Sequence, residues 1–289
     1  MSREITIKNS RWFKKRLNYE DIIDGTSFVI DGQDEHDRRI DVDDSDAVMQ
    51  IIYDSECIGR GVLIDVADNS KTVRLELPLP APEADFRVLY TVARRIALQW
   101  GAKSILLDGE KVELTDLDEC MEKDFAISTH FLSYFAEEAG DGALTLPCAT
   151  LPICLNSQQL TNFSKDYKTF GQYLHERQSL YPFYSIAWYV GSIGPDTQNV
   201  VKYVAIPDGN FVLPNSPEMR YHDGENSIEY DQAVVATPNL FKEGEIAEVD
   251  FLQFLSHVPD DKKTEFDCEH TLIYPLSIEE LQAFFSSQM

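Results

Sequence analysis

One amphipathic passage limits the fold of this chain more than any other feature. Phe86, Leu89, Tyr90, Ala93, Ile96, Ala97 and Trp100 recur at three- and four-residue spacing, which draws a single apolar stripe down a helix. Pro82 and Glu83 open it with a proline in the first turn and acids near the positive end of the dipole. Gly101 stands where a left-handed C-cap residue belongs. Such a stripe must be buried against a second layer. The preceding residues supply one: Val48–Tyr53, Gly61–Val66 and Thr72–Leu77 are short β-rich runs parted by turn-like pieces such as Asp68-Asn69-Ser70, the spacing of an antiparallel meander. A hairpin around Asp108-Gly109 follows the helix.

The rest of the chain extends this pattern. Thr115 is placed to cap a second helix reaching toward Gly140, with or without a break. Asn156 or Ser157 opens a helix running to about Gln178. Ile186–Val190, Val200–Ile206, Phe211–Leu213, Ile228–Ala236 and Thr271–Tyr274 read as strands, with Gly194-Pro195 and Asp208-Gly209 as turns. Glu245–Val258 fits a helix as well as an extended segment, and Ser277-Ile-Glu-Glu280 is a capping box for a final helix. The fold class is therefore α+β, with mostly antiparallel sheets and packed amphipathic helices. Length fits two domains, and Pro147 and Pro152 suggest a boundary that gives 1–146 and 147–289. Leu75-Glu-Leu-Pro-Leu and Leu272-Ile-Tyr-Pro-Leu each lead from a strand into a helix, which admits two related units.

Charge narrows the classes of function. Fifty acidic against 25 basic residues leave a net charge of −25, which repels nucleic-acid phosphates and anionic membrane surfaces. Neither partner is expected; the surplus suits a solvated surface, or alternatively an acidic face that docks on a basic protein. No run approaches the ~20 apolar residues of a membrane helix. Met1-Ser-Arg-Glu-Ile-Thr-Ile-Lys lacks the apolar core of a signal peptide. Cys57, Cys120, Cys148, Cys154 and Cys268 form an odd, irregular set that fits reduced thiols and a cytoplasmic location. The basic start, Arg3 to Arg16, could pair with the acidic tract from Glu20 to Asp46, in which Asp31-Gly-Gln-Asp-Glu-His-Asp reads as an exposed turn.

Motifs for chemistry are sparse. Neither glycine-rich phosphate loop is present; Gly59-Arg60-Gly61 lacks the third glycine and the strand-to-helix setting, so no nucleotide cofactor is expected. Asp41-Val-Asp-Asp-Ser-Asp46 lacks the glycine and the bidentate glutamate of a calcium loop. Cys268 and His270, two apart on a presumed strand face, could join His257 as metal ligands, but no fourth ligand is evident. His222 beside Asp223 is the candidate acid–base pair, in a turn-like polar setting that also suits a surface histidine. Residues 147–206 form a nearly neutral, aromatic-rich island. Phe163, Tyr167, Phe170, Tyr173 and Leu174 fall at helical spacing and read as core, while Arg177, Tyr181, Phe183 and Tyr184 are candidate binding residues.

Leu75-Glu-Leu-Pro-Leu-Pro-Ala-Pro-Glu-Ala-Asp-Phe-Arg-Val-Leu-Tyr, running on to Trp100, is similar to the strand–proline–helix segment of a bacterial family of about this length known as a domain of unknown function. Ala233-Val-Val-Ala-Thr-Pro through Phe251-Leu-Gln-Phe-Leu resembles the same family. The resemblance implies a bacterial cytosolic protein and carries over no functional residues. The expected function is a non-enzymatic, protein-binding one with an acidic surface. Alternatives are an acidic immunity or inhibitor protein against a basic toxin or nuclease, and an enzyme whose site is assembled from sequence-distant residues.

Overall fold

The computed structural model describes residues 1–10, 17–33, 39–40, 49–66, 71–140, 142–190, 199–223 and 226–286. The chain divides into two compact units, Met1–Ser179 and Leu180–Met289.

Unit 1 is built on an antiparallel sheet of β1 (Ser2–Lys8), β2 (Phe28–Gln33), β3 (Arg39–Ile40), β4 (Met49–Asp54), β5 (Val62–Val66), β6 (Thr72–Pro78), β7 (Ser104–Leu107) and β8 (Glu110–Glu113). Its spatial order is β3-β2-β4-β5-β6-β1-β7-β8, so the expected meander forms as β4-β5-β6 and the first strand inserts between β6 and β7. Alternation puts Ile5 and Ile7 of β1, and Val73, Leu75 and Leu77 of β6, into the core. The amphipathic helix α2 (Glu83–Trp100) covers them with Phe86, Leu89, Ala93, Ile96 and Trp100. Gly101, at φ 68°, ends it in the left-handed conformation. A short helix, α1 (Tyr19–Ile23), precedes β2, and its Ile22 joins this core. Asp31 to Gln33, expected in a turn, belong to β2, and the remaining residues of that expected turn lie outside those described.

The long α3 (Leu117–Ala139) runs without a break. Thr115 does not cap it: its hydroxyl bonds the Asp116 side chain within a short 3₁₀ turn. The hairpin of β9 (Ala143–Leu146) and β10 (Ile153–Asn156) then crosses Pro147 and Pro152, so this passage ties unit 1 together, and the division falls later. Asn156 caps α4 (Ser157–Lys165) through a capping box with Gln159. The helix expected from 157 to 178 is two, because Asp166, at φ −136°, leaves helical geometry before α5 (Tyr167–Gln178). Phe163 and Phe170 pack at 5.6 Å and are buried, as the core reading of that stripe requires.

Unit 2 holds β11 (Phe183–Tyr184), β12 (Trp188–Val190), β13 (Val200–Val204), β14 (Phe211–Pro214), β15 (Arg220–Asp223), β16 (Asn226–Glu229), β17 (Gln232–Pro238), β18 (Ile246–Asp250), β19 (Lys263–Glu265) and β20 (His270–Ile273). They form the sheets β12-β13-β17-β18 and β11-β14-β20-β19 and the hairpin β15-β16. The β13–β17 and β11–β14 pairs are parallel; the other pairs are antiparallel. Ile228–Ala236, expected as one strand, is split between β16 and β17. The ambiguous 245–258 segment is both things in turn: β18, then α6 (Phe251–His257), whose first turn Asp250 caps. The Ser277–Glu280 capping box opens α7 (Ile278–Ser286) as expected. Tyr203, Val235, Phe251, Phe254, Ile273, Leu281 and Phe285 close this core.

Among the described residues the partners of Arg3 lie outside the acidic tract. Arg3 bonds Asp108 in the β7–β8 turn and the buried Asp124 of α3, whose other oxygen accepts the Tyr90 hydroxyl of α2. One carboxylate thus joins β1, α2 and α3, and burial beside it pushes the Tyr90 phenol upward. Replacing Asp124 by Ala leaves the Arg3 charge without its interior partner. The expected loss is about 3 kcal/mol of stability, read as a lower urea midpoint at unchanged slope; an unmoved midpoint contradicts the linkage.

Candidate functional site

The most unusual polar group in unit 1 is Asp85. It sits in the first turn of α2, its own N–H bonded to Pro82 O, and it is 0% exposed. Its Oδ2 accepts the Arg60 N–H at 2.6 Å, and the Gly61 N–H also bonds the carboxylate. A Cβ on Gly59 would lie 2.4 Å from Oδ2 and 2.6 Å from Oδ1, so only glycine lets this loop close on the acid. Gly61 takes φ +75°, the second place where a glycine is needed. The loop fixes its other groups as well. Gly59 O accepts from Ala149 N at 3.1 Å and from Gln178 Nε2 at 2.7 Å, while Gln178 Oε1 accepts from Thr150 N at 2.9 Å.

The Arg60 side chain is buried in the same knot. Its Nε donates to Pro147 O at 2.9 Å and its Nη1 to Pro80 O at 3.2 Å. Burial lowers its pKa, yet guanidinium remains charged at any working pH. Beyond it lies a cleft of about 400 Å³ lined by Ile51, Leu63, Pro78, Pro147, Leu151 and Pro152, with Arg60, Thr145, Cys148 and Thr150 as its polar members. Desolvation is the main influence on Asp85 and raises its pKa from 3.8 to about 7, against the backbone donors and the Arg60 charge.

Unit 2 carries a different kind of exception. Trp188 of β12 is 64% exposed, and Ile186 and Val190 are exposed with it. Tyr189, between them, turns to the opposite face and stacks on Tyr221 at 4.8 Å and Tyr230 at 4.9 Å. Among the described strands β12 is the terminal one of its sheet, paired along one side with β13 in the register Trp188↔Lys202 and Val190↔Val200.

The residues singled out from sequence are distributed as follows. Tyr181 and Phe183 are exposed in unit 2. Tyr184 is partly buried, its hydroxyl 2.7 Å from His270 Nε2, while His270 Nδ1 lies 2.8 Å from Asp267 Oδ1. Arg177, in α5, lays its guanidinium 3.7 Å over the Tyr173 ring and pairs with Glu176 at 3.2 Å. His222 is exposed on β15 opposite Ser227, and Asp223 follows it opposite Asn226. Cys268 lies in the bend before β20, so it does not share a strand face with His270. His257, at the end of α6, faces Gln253 O at 2.7 Å. Among the described residues His257 and Cys268 join no group of three metal-ligating side chains. The aspartate run from Asp41 to Asp46, the turn at Asp68-Asn69-Ser70 and the turn at Gly194-Pro195 lie outside the described residues. Sequence reasoning passed over Arg60 and Asp85. Their signal is Gly59-Arg60-Gly61, two glycines around an arginine that form no phosphate loop, and an acid set directly beside the apolar stripe of α2.

An eight-stranded antiparallel sheet covered by α2, followed by a smaller unit of mixed sheets, defines a two-unit α+β protein. The chain belongs to the family described as a domain of unknown function, DUF4299, whose model matches residues 2–284. No curated protein and no solved structure matches it. Among the described residues, no helix is long and apolar enough to cross a membrane.

An acid with a higher pKa folded than unfolded holds its proton more tightly in the folded state. Its stabilising contribution is complete below the unfolded value and is lost as pH rises through the folded one. For Asp85 that window runs from 3.8 to about 7. The corresponding free energy is roughly 4 kcal/mol. Asp85→Asn cannot titrate there, so its stability relative to the parent protein should climb across the window and level off above it. Parallel denaturation midpoints at each pH would show that the acid titrates normally.

Proposed function

We propose that the protein is a non-enzymatic binding protein that takes a basic protein partner along the exposed edge of β12. The observation that carries this reading is the exposure of Trp188 on a terminal strand. A terminal strand presents unpaired backbone groups, and natural proteins usually blunt such an edge with charge or proline. Here it presents Trp188 and Val190 on one face. Large aromatic side chains are what the centres of protein interfaces favour, and the charged pair Lys202–Glu248 across from Trp188 would lie at the rim. The net charge of −25 supplies the second element, since it speeds encounter with a basic partner and rejects acidic ones. Exposed Tyr181 and Phe183 enlarge the apolar surface of the same unit.

The test is affinity capture from cell lysate with the whole protein, alongside Trp188→Ala and Val190→Ser. The expected partner is basic, is captured about tenfold less by Trp188→Ala, and is released progressively as salt rises. Unchanged melting temperatures for both variants keep the comparison on binding. A partner that is indifferent to Trp188 and to salt, or no partner at all from a protein that stays monomeric when concentrated, overturns the reading.

A further inference from the structure

We propose that the cleft beside Arg60 in unit 1 binds a small monocarboxylate with an apolar body. This site is independent of the β12 edge and calls on none of its residues.

The guanidinium is the first argument. An arginine side chain has five N–H donors. Nε uses its one on Pro147 O, and Nη1 uses one of its two on Pro80 O. Among the described residues no carboxylate pairs with the guanidinium and no acceptor meets Nη2. The donors left over are one on Nη1 and two on Nη2, at the end of the fork. A carboxylate placed end-on satisfies both nitrogens at once. A guanidinium buried to 5% exposure with no directly paired carboxylate gains from an anion placed on its open donors. Asp85 is near enough for each charge to act on the other, but its bonded oxygen accepts the Arg60 backbone N–H and it makes no ion pair with the side chain.

The cleft is the second argument. Its volume of about 400 Å³ falls in the range of small-molecule sites. Among the described residues Arg60 is the one charged residue lining it, so a dianion such as a phosphate monoester would bring one negative charge without a partner. The other walls, Ile51, Leu63, Leu151 and three prolines, suit an alkyl or aryl body, and Thr145 and Thr150 offer hydroxyls. The knot that holds Arg60 also pre-orders it: Gly59 is held by Gln178 and Ala149, and the Arg60 backbone by Asp85, so little freedom is left to lose on binding.

Titration calorimetry on the whole protein with hexanoate, hexanol and hexyl phosphate tests this. Hexanoate should bind about tenfold or more tightly than hexanol, the difference expected of a hydrogen-bonded charge, and more tightly than hexyl phosphate. Arg60→Met should abolish that preference. Because Arg60 is part of the folded knot, a second variant is needed: Leu151→Trp fills the cleft, leaves Arg60 in place, and should abolish hexanoate binding. The proposal is overturned if hexanoate and hexanol bind alike, if hexyl phosphate binds as tightly as hexanoate, if Leu151→Trp still binds hexanoate, or if hexanoate does not bind the parent protein.

Discussion

Burying an ionisable side chain in the first turn of a helix sets a condition that the surrounding chain has to meet. Asp85 is wholly enclosed, and its Oδ1 has no hydrogen-bond partner. Whichever protonation state it takes, the carboxyl needs donors close by. They come from the backbone of a loop between β4 and β5, and that loop can approach only because Gly59 lacks a side chain. Gly59 O then has to be satisfied in turn, and Gln178, at the end of α5, does so. The last helix of unit 1 is therefore bound to a strand connection far back in the sequence. This is why Pro147 and Pro152 do not separate two domains: the chain on both sides of them serves one buried polar network.

The parts of the fold legible in the sequence are those where one local cause decides the outcome. The stripe from Phe86 to Trp100, the terminating Gly101, the cap at Asn156 and the capping box at Ser277 each act within a few residues, and each is present. The errors share a different cause. Apolar periodicity runs through Asp166 and through Asp231 without a visible break. Yet the backbone turns at both, since each aspartate serves a turn: Asp166 O accepts the Thr169 hydroxyl, and Asp231 bonds Asn199 N. Periodicity reports which face is buried. It does not report where the chain must change direction to bury it.

The candidate site was less legible, for a related reason. Gly59-Arg60-Gly61 lacks what a phosphate-cradling loop needs. What it cradles is a side chain of the same protein, 25 residues onward, and no local pattern encodes that distance. Asp85 had an adequate local explanation, an acid favoured by the helix dipole, which concealed that it is buried. Cys268 and His270 illustrate the converse. Their spacing suits a shared strand face, but the strand begins only at His270, whose two ring nitrogens face Tyr184 and Asp267.

The neutral, aromatic island at residues 147–206 brings these strands together, because it has two physical causes. Before Ser179 the aromatic residues are largely interior: Phe163 and Phe170 are buried and Tyr167 reaches Ala81 O, so charge is missing because there is little water to receive it. After Leu180 the same composition is at the surface, in Tyr181, Phe183, Ile186 and Trp188, where nothing in the packing forbids charge. A chain this rich in acids could place them there at no structural cost. Their absence from exposed positions is thus the feature that packing does not explain, and it points toward a surface shaped by contact with another molecule.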